Sequence, residues 1–199
     1  MKSLAPIVLF TYCRADVTKQ TVQSLLANSE AKDSVIYIYS DNFKNEKFRE
    51  GVEETRRFIR SINGFKEVIV IEREENWGLS QNLIDGITTV VDRHGKVIVL
   101  EDDTVVSKHF LKFMNEALSK YENDNRIASV SGYNYGINNL PECYFSKIGS
   151  CWGWATWKRA WQYFNYNAVS LLIDAFSYEI LQEHKFFHAF LHQNPIIFF

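Results

Sequence analysis

Val97-Ile98-Val99-Leu100-Glu101-Asp102-Asp103 is the stretch on which the fold of this chain turns. Four consecutive apolar residues, three of them β-branched, are too few for a buried helix and suit a strand covered on both faces. Three carboxylates then follow without a spacer. Adjacent carboxylates repel one another, so a solvated acidic turn and a bound cation are the two ways to accommodate them. An apolar run that ends abruptly in such a triplet favours a site, because the carboxyl ends of strands are where open α/β sheets bind their ligands.

The pattern on either side alternates strand with helix. Just upstream, Ser80 to Val91 puts Leu83, Ile84, Ile87, Val90 and Val91 on one helical face, with Ser80 as its cap, and His94-Gly95 turns the chain. Downstream, Ser107 is expected to cap a helix with Phe110, Met114, Leu118 and Tyr121 inward, followed by a strand from Ile127 to Ser131. Towards the N-terminus, Glu67 to Ile71 is a strand. Asn45 to Ile62 is a charged helix with Phe48, Val52, Thr55 and Ile59 on one side, broken by Asn63-Gly64. Ser34 to Ser40 is a strand that ends in Asp41. Asp16 caps a helix with Val17, Val22, Leu25 and Leu26 inward, and Pro6 to Cys13 is the first strand, followed by Arg14. Such alternation, with strands apolar on both faces, predicts an α/β fold: a mainly parallel, Rossmann-like sheet flanked by helices, in a single domain over residues 1–199. Beyond Ser131 the pattern loosens into a Gly-, Asn- and Trp-rich region, expected to form a functional lip over the sheet.

Composition narrows the function classes. The chain has 199 residues, 46% hydrophobic and 23% charged, with a net charge of −2, so bulk attraction to nucleic acid or an anionic membrane is not expected. No run reaches the roughly 20 apolar residues of a membrane helix, and a strand-like run by Ile7 leaves no room for a signal peptide. Cys13, Cys143 and Cys151 cannot all pair with one another and read as reduced thiols, which points to a cytoplasmic location, with the inner face of the membrane as the alternative.

Three predicted strand ends carry polar residues that would face one crevice: Arg14, Asp41 and the acidic triplet. Mg²⁺ or Mn²⁺ suits carboxylate oxygens together with substrate phosphates. Taken singly, Arg14 is also explained as a surface arginine and Asp41 as a turn cap.

In order, TYCR at the end of the first strand, YIYSD at the end of the second, VIVLEDDTVVSKHFLKFM and the aromatic segment GSCWGWATWKRAW from Gly149 to Trp161 resemble the GT-A glycosyltransferases. The nearer resemblance is to the N-acetylglucosaminyltransferases that start complex N-glycans and to bacterial sugar transferases like them, and it runs from about Pro6 to Trp161. The resemblance implies that Asp103 ligates Mn²⁺ or Mg²⁺, that Asp102 contacts the ribose or the metal's water shell, and that Glu101 hydrogen-bonds the donor sugar. It implies that Asp41 and Arg14 hold the base and ribose of a nucleotide-sugar donor, a UDP-sugar favoured. Asn76-Trp77-Gly78-Leu79 precedes a helix over the pyrophosphate region, and Ser80 and Asn82 are near enough to join the donor site, although a capped helix start explains the same residues.

Trp152, Trp154, Trp157 and Trp161 concentrate aromatic area of the kind that sugar C–H faces meet. The i, i+4 pair Trp157 and Trp161 is assigned to the core. Gly149, Trp152, Gly153 and Trp154 are assigned to an acceptor or sugar pocket. His184, His188 and His192 share a helical face but read as its polar side, since Phe186, Phe187, Phe190 and Leu191 give the same helix an apolar one.

An inverting transfer needs a carboxylate base, and of Asp174, Glu179 and Glu183 the candidate is Glu179. Chains of the resembling family continue past Phe199, so a C-terminally incomplete chain is expected, whose apolar Ile196 to Phe199 could drive self-association. The function expected is metal-dependent transfer of a sugar to a glycan or lipid-linked acceptor. The rivals are a donor-binding remnant without its base and a nucleotidyltransferase of related fold, the latter disfavoured by the absence of a Gly-rich basic loop after Phe10.

Overall fold

A computed structural model describes residues 3–133, 141, 143–146 and 149–165, and the backbone of 196–198. The expected alternation is present: β1 (Ile7–Thr11), α1 (Ala15–Leu26), β2 (Val35–Ser40), α2 (Arg49–Arg60), β3 (Glu67–Glu72), α3 (Leu79–His94), β4 (Lys96–Glu101), α4 (Phe110–Lys120) and β5 (Ile127–Ser131). Three strands and a short helix follow: β6 (Phe145–Ser146), β7 (Trp154–Trp157), α5 (Lys158–Trp161) and β8 (Ile196–Phe198). Among the described residues the strand order is β3-β2-β1-β4-β7-β5-β8-β6.

The first four strands are parallel, and β7 runs antiparallel between β4 and β5. The chain steps outward from β1 to β2 to β3, then crosses back to place β4 on the other side of β1. Right-handed crossovers in opposite directions put their helices on opposite faces. Accordingly Val22 of α1 and Ile59 of α2 share one buried cluster with Ile7, Leu9, Ile98 and Leu100, a cluster that Leu111, Met114 and Leu118 of α4 also join although the step from β4 to β5 runs in the same direction as that from β3 to β4. Ile87, Val90 and Val91 of α3 share the other with Val8, Phe10, Val97 and Val99. Every residue of β1 is buried, as its continuous apolar run requires. The reversal of direction lies between β1 and β4, and a crevice outside their carboxyl ends is the expected ligand position.

The helix starts differ from the sequence expectation. Arg14, not Asp16, is the cap residue of α1, and Asp16 lies in the first turn. α3 begins at Leu79 behind Gly78, not Ser80, and α4 begins behind His109, not Ser107. The Trp-rich segment differs more. Trp157 ends a strand rather than sharing a helix with Trp161. Its ring is core, as expected, and its Nε1 donates to the Leu118 carbonyl at 3.0 Å. Trp161 is half-buried against the second cluster, with Nε1 donating to Thr88 Oγ1 at 2.9 Å. Ile196–Phe198, expected as a self-association surface, forms β8, whose backbone pairs with β5 and β6. The three cysteines are free, and among the described residues no helix is long and apolar enough to cross a membrane.

Candidate functional site

The loop after β1 and the loop after β4 are neighbours because their strands pair in register, with Phe10 opposite Glu101. Arg14 therefore faces the acidic triplet across 88 positions of sequence. Its Nη2 donates to Asp102 Oδ1 and, at 3.0 Å, to Asp103 Oδ2. Asp102 is buried, and its carbonyl accepts from Thr21 Oγ1 at 2.7 Å. Burial pushes its carboxyl above the usual range, with Arg14 opposing. Glu101 is pushed up as well, first by burial and then by the charges of Asp103 and Asp102. The two carboxylate pairings raise the pKa of the Arg14 guanidinium. The repulsion inferred from the sequence is thus present, and one protein cation already relieves part of it.

A crevice of about 520 Å³ opens here, lined by Arg14, Asp41, Gly78, Asn82, Glu101 and Asp102, with Tyr12, Lys44 and Phe48 among its other walls. A second cavity, of about 410 Å³, is lined by Asp103, Thr104, Ser107, Phe110, Tyr133 and Trp152. The acidic motif lies between the two: Glu101 and Asp102 line the first, Asp103 the second.

Asp41 is 5% exposed, and its carboxylate is taken up by the protein. Oδ1 accepts from the backbone N–H of Asn42 and of Trp77, both at 2.9 Å, and Oδ2 accepts from Gly78 N at 2.8 Å and Asn76 Nδ2 at 3.1 Å. A carboxylate has about four acceptor positions, and four donors occupy these. Asp41 thus pins the loop that enters α3, where Gly78 has φ of 74°, a left-handed conformation that glycine tolerates. Helix α3 carries no side-chain cap and no acidic residue in its first turn.

In the second cavity Trp152 is half-exposed and meets Tyr133 edge to face with ring centroids 4.4 Å apart. Gly153 backs this wall with φ of 72°, and a Cβ there would lie 3.1 Å from the Phe110 ring. Gly149 is exposed and lines neither cavity, and Trp154 belongs to β7, its ring 6.1 Å from that of Trp161. The structure therefore brings together Arg14, Asp41, Asn82, Glu101 and Asp102 in one cavity, and Asp103 and Trp152 in the other. Glu179, with Asp174, Glu183 and the three histidines from His184, lies outside the described residues.

Two residues at strand ends escaped the sequence reading, as did Lys44 in the loop after β2. Arg73 directly follows β3 and Tyr133 lies just past β5; applying the strand-end rule to all five parallel strands would have found both.

Among the described residues no group of three or more His, Cys, Asp or Glu gathers tightly enough to enclose an ion alone. What the chain offers is the half-exposed Asp103 carboxylate beside that of Asp102. Oxygen donors of this kind fit Mg²⁺ or Mn²⁺ when diphosphate and water complete the octahedron.

The sequence matches the model of glycosyl transferase family 2 over residues 7–178. Among solved structures, the mannosyltransferase PcManGT from Pyrobaculum calidifontis, in complex with GDP-Man and Mn²⁺, has a TM-score of 0.53 at 10% identity, covering 79% of this chain and 46% of its own. TarS of S. aureus (TM-score 0.46, 13% identity, 70% of this chain and 23% of its own) and a 4-diphosphocytidyl-2C-methyl-D-erythritol synthase from Anaerococcus prevotii (0.47, 10%, 87% and 84%) are too distant in shape to argue from. The chain thus spans less than half the length of the mannosyltransferase. No curated protein sequence matches at a significant level. With a GT-A arrangement of strands, an acidic motif at the switch point and a family match over most of its length, the chain belongs to glycosyl transferase family 2.

Proposed function

We propose that the chain binds a nucleotide-diphosphate sugar, a UDP-sugar favoured, in the larger crevice and passes the sugar to a glycan or lipid-linked acceptor in the smaller cavity, with inversion. The observation that carries this reading is the position of the acidic motif between two cavities, with Asp103 on the side away from Asp41. A donor and an acceptor must meet within bonding distance, and a shared wall of carboxylates is where their reacting ends would lie.

The roles follow from the chemistry present. Arg14 and Lys44 supply positive charge to a phosphate-bearing ligand. Asp103, with Asp102 beside it, would hold a divalent cation that stabilises the departing diphosphate. Glu101, half-buried with its carboxyl pushed up, would hydrogen-bond hydroxyl groups of the donor sugar. Asp41 acts on the donor by fixing the Asn76–Gly78 loop. The half-exposed Trp152 ring, with Tyr133, offers a flat face to the C–H groups of an acceptor sugar. Glu179 is the proposed base for the acceptor hydroxyl.

Thermal shift tests this directly, because ligands that bind the fold raise its stability by mass action. UDP- and GDP-sugars should raise the melting temperature with Mn²⁺ and less without it. No shift with any nucleotide-sugar, with or without metal, would sink the proposal.

A further inference from the structure

A polar side chain at the floor of the larger crevice is held in one orientation. Asn82, in the first turn of α3, is 2% exposed, and its Oδ1 accepts from Arg73 Nε at 2.9 Å. A guanidinium only donates, so the amide oxygen is necessarily the atom facing Arg73. The NH₂ group is turned the other way. Among the described residues it has no hydrogen-bond partner, yet no fully enclosed side-chain nitrogen or oxygen is left unpaired. The Nδ2 atom therefore reaches the open volume of the crevice that Asn82 lines.

Arg73 is itself immobilised. Its side chain is 11% exposed, Nη2 pairs with Asp85, and the guanidinium lies 3.9 Å from the Trp77 ring centroid and 5.0 Å from that of Tyr39. Its carbonyl accepts from Arg56 Nη2 at 2.7 Å. A side chain packed against two rings and paired at its tip holds the Asn82 amide against rotation.

We propose that Arg73 is a positioning residue: it holds the Asn82 amide so that an N–H pair, never the carbonyl, meets the donor nucleotide, and so selects an oxygen acceptor there. The inference rests on the donor-crevice reading. The surroundings agree with it, since the first turn of α3, which carries Asn82, has no side-chain cap and no acidic residue, and the nearby Asp41 carboxylate is already occupied by the N–H groups of Trp77 and Gly78. The acceptor is an oxygen of the diphosphate or a carbonyl or hydroxyl oxygen of the nucleoside.

Asn82→Asp is the decisive variant. It keeps the shape and an oxygen for Arg73, so the fold is retained, but replaces the donor with an acceptor. Affinity for UDP and GDP, measured by calorimetry with Mn²⁺, should fall by about tenfold or more while the melting temperature holds or rises. Loss of affinity for inorganic pyrophosphate as well puts the oxygen on the diphosphate; loss confined to the nucleotides puts it on the nucleoside. Arg73→Lys should weaken nucleotide binding severalfold in the wild-type chain but add nothing in an Asn82→Ala background, because the effect runs through Asn82. Unchanged nucleotide affinity in Asn82→Asp, or an equal cost of Arg73→Lys in both backgrounds, overturns the inference alone. A wild-type chain that binds no nucleotide overturns the donor reading and this inference with it.

Discussion

Arg14 reaches both Asp102 and Asp103 through one nitrogen, Nη2, so a single fixed positive charge bridges two carboxylates of the acidic motif. A divalent ion would approach the same oxygens against that charge. Arg14→Gln is therefore expected to tighten binding of Mn²⁺ alone, seen as loss of the free-ion signal in electron paramagnetic resonance, while weakening UDP or GDP binding. Weaker Mn²⁺ binding by the variant would show that Arg14 supports the cation instead of competing with it.

Asp103 and Asp102 should separate under substitution. The Asp103 side chain is half-exposed, and its one described hydrogen bond is to Arg14, so Asp103→Ala should change stability by no more than about 0.5 kcal/mol. Mn²⁺-dependent nucleotide affinity should fall about tenfold or more. Asp102→Asn keeps the buried shape and removes a charge that burial opposes, so it should cost less affinity. Calorimetry on the two variants with and without Mn²⁺ checks the order, and the reverse order would make Asp102 the principal ligand.

Asp41→Ala should destabilise the fold by about 2 kcal/mol, because the N–H groups of Trp77 and Gly78 lose their acceptor. Urea denaturation measures it. An unchanged midpoint would mean that water replaces the carboxylate at no cost and that the loop is not held by it.

Gly86→Ala places a methyl 2.8 Å from the Phe10 ring and 3.1 Å from that of Tyr39, both packed in the core. Over-packing of this kind costs about 1–3 kcal/mol. Phe10 also lines the larger crevice, so nucleotide affinity should fall with stability; a variant as stable as the parent would contradict the close packing of α3 on the sheet.

Stability should decline in mild acid partly through His94. Its ring nitrogen Nε2 lies 2.9 Å from the Tyr37 hydroxyl, and burial, then Arg93, hold its pKa below the ordinary 6.5. The unfolded chain thus takes up this proton at a higher pH than the folded one. The contribution is complete above about pH 6.5 and is lost as pH falls from there towards the depressed folded value. Melting temperatures between pH 5 and 7.5 should show this slope, and His94→Gln should flatten it.

The parallel strands were legible because each is a short apolar run closed by a polar residue, and β5 was placed to the residue. β7 was not. Trp154-Ala155-Thr156-Trp157 has no alternation of apolar and polar residues, since both faces are covered, and the spacing of Trp157 and Trp161 imitates a helix. Its place between β4 and β5 depends on pairing across more than fifty residues. The crevice residues were legible from strand ends, but not what holds them. Asp41 finds three of its four donors 35 to 37 positions later, and Arg73 reaches Asn82 across the Asn76–Gly78 turn in a pairing that no local pattern announces.

The antiparallel pairing of β7 with β4 makes the distance across the site a matter of counting rungs. Val99 stands opposite Trp154. Two residues onward along β4 is Glu101; two residues back along β7 is Trp152, beyond the same end of the ladder. One extra residue between Trp152 and Trp154 would slide the aromatic wall against the carboxylates, or else slip the ladder and turn Trp157 out of the core. Within these few positions a change of length would disturb the cavity more than a change of side chain at Trp152, while Gly153, with φ of 72° and the Phe110 ring 3.1 Å from any added Cβ, is restricted in both.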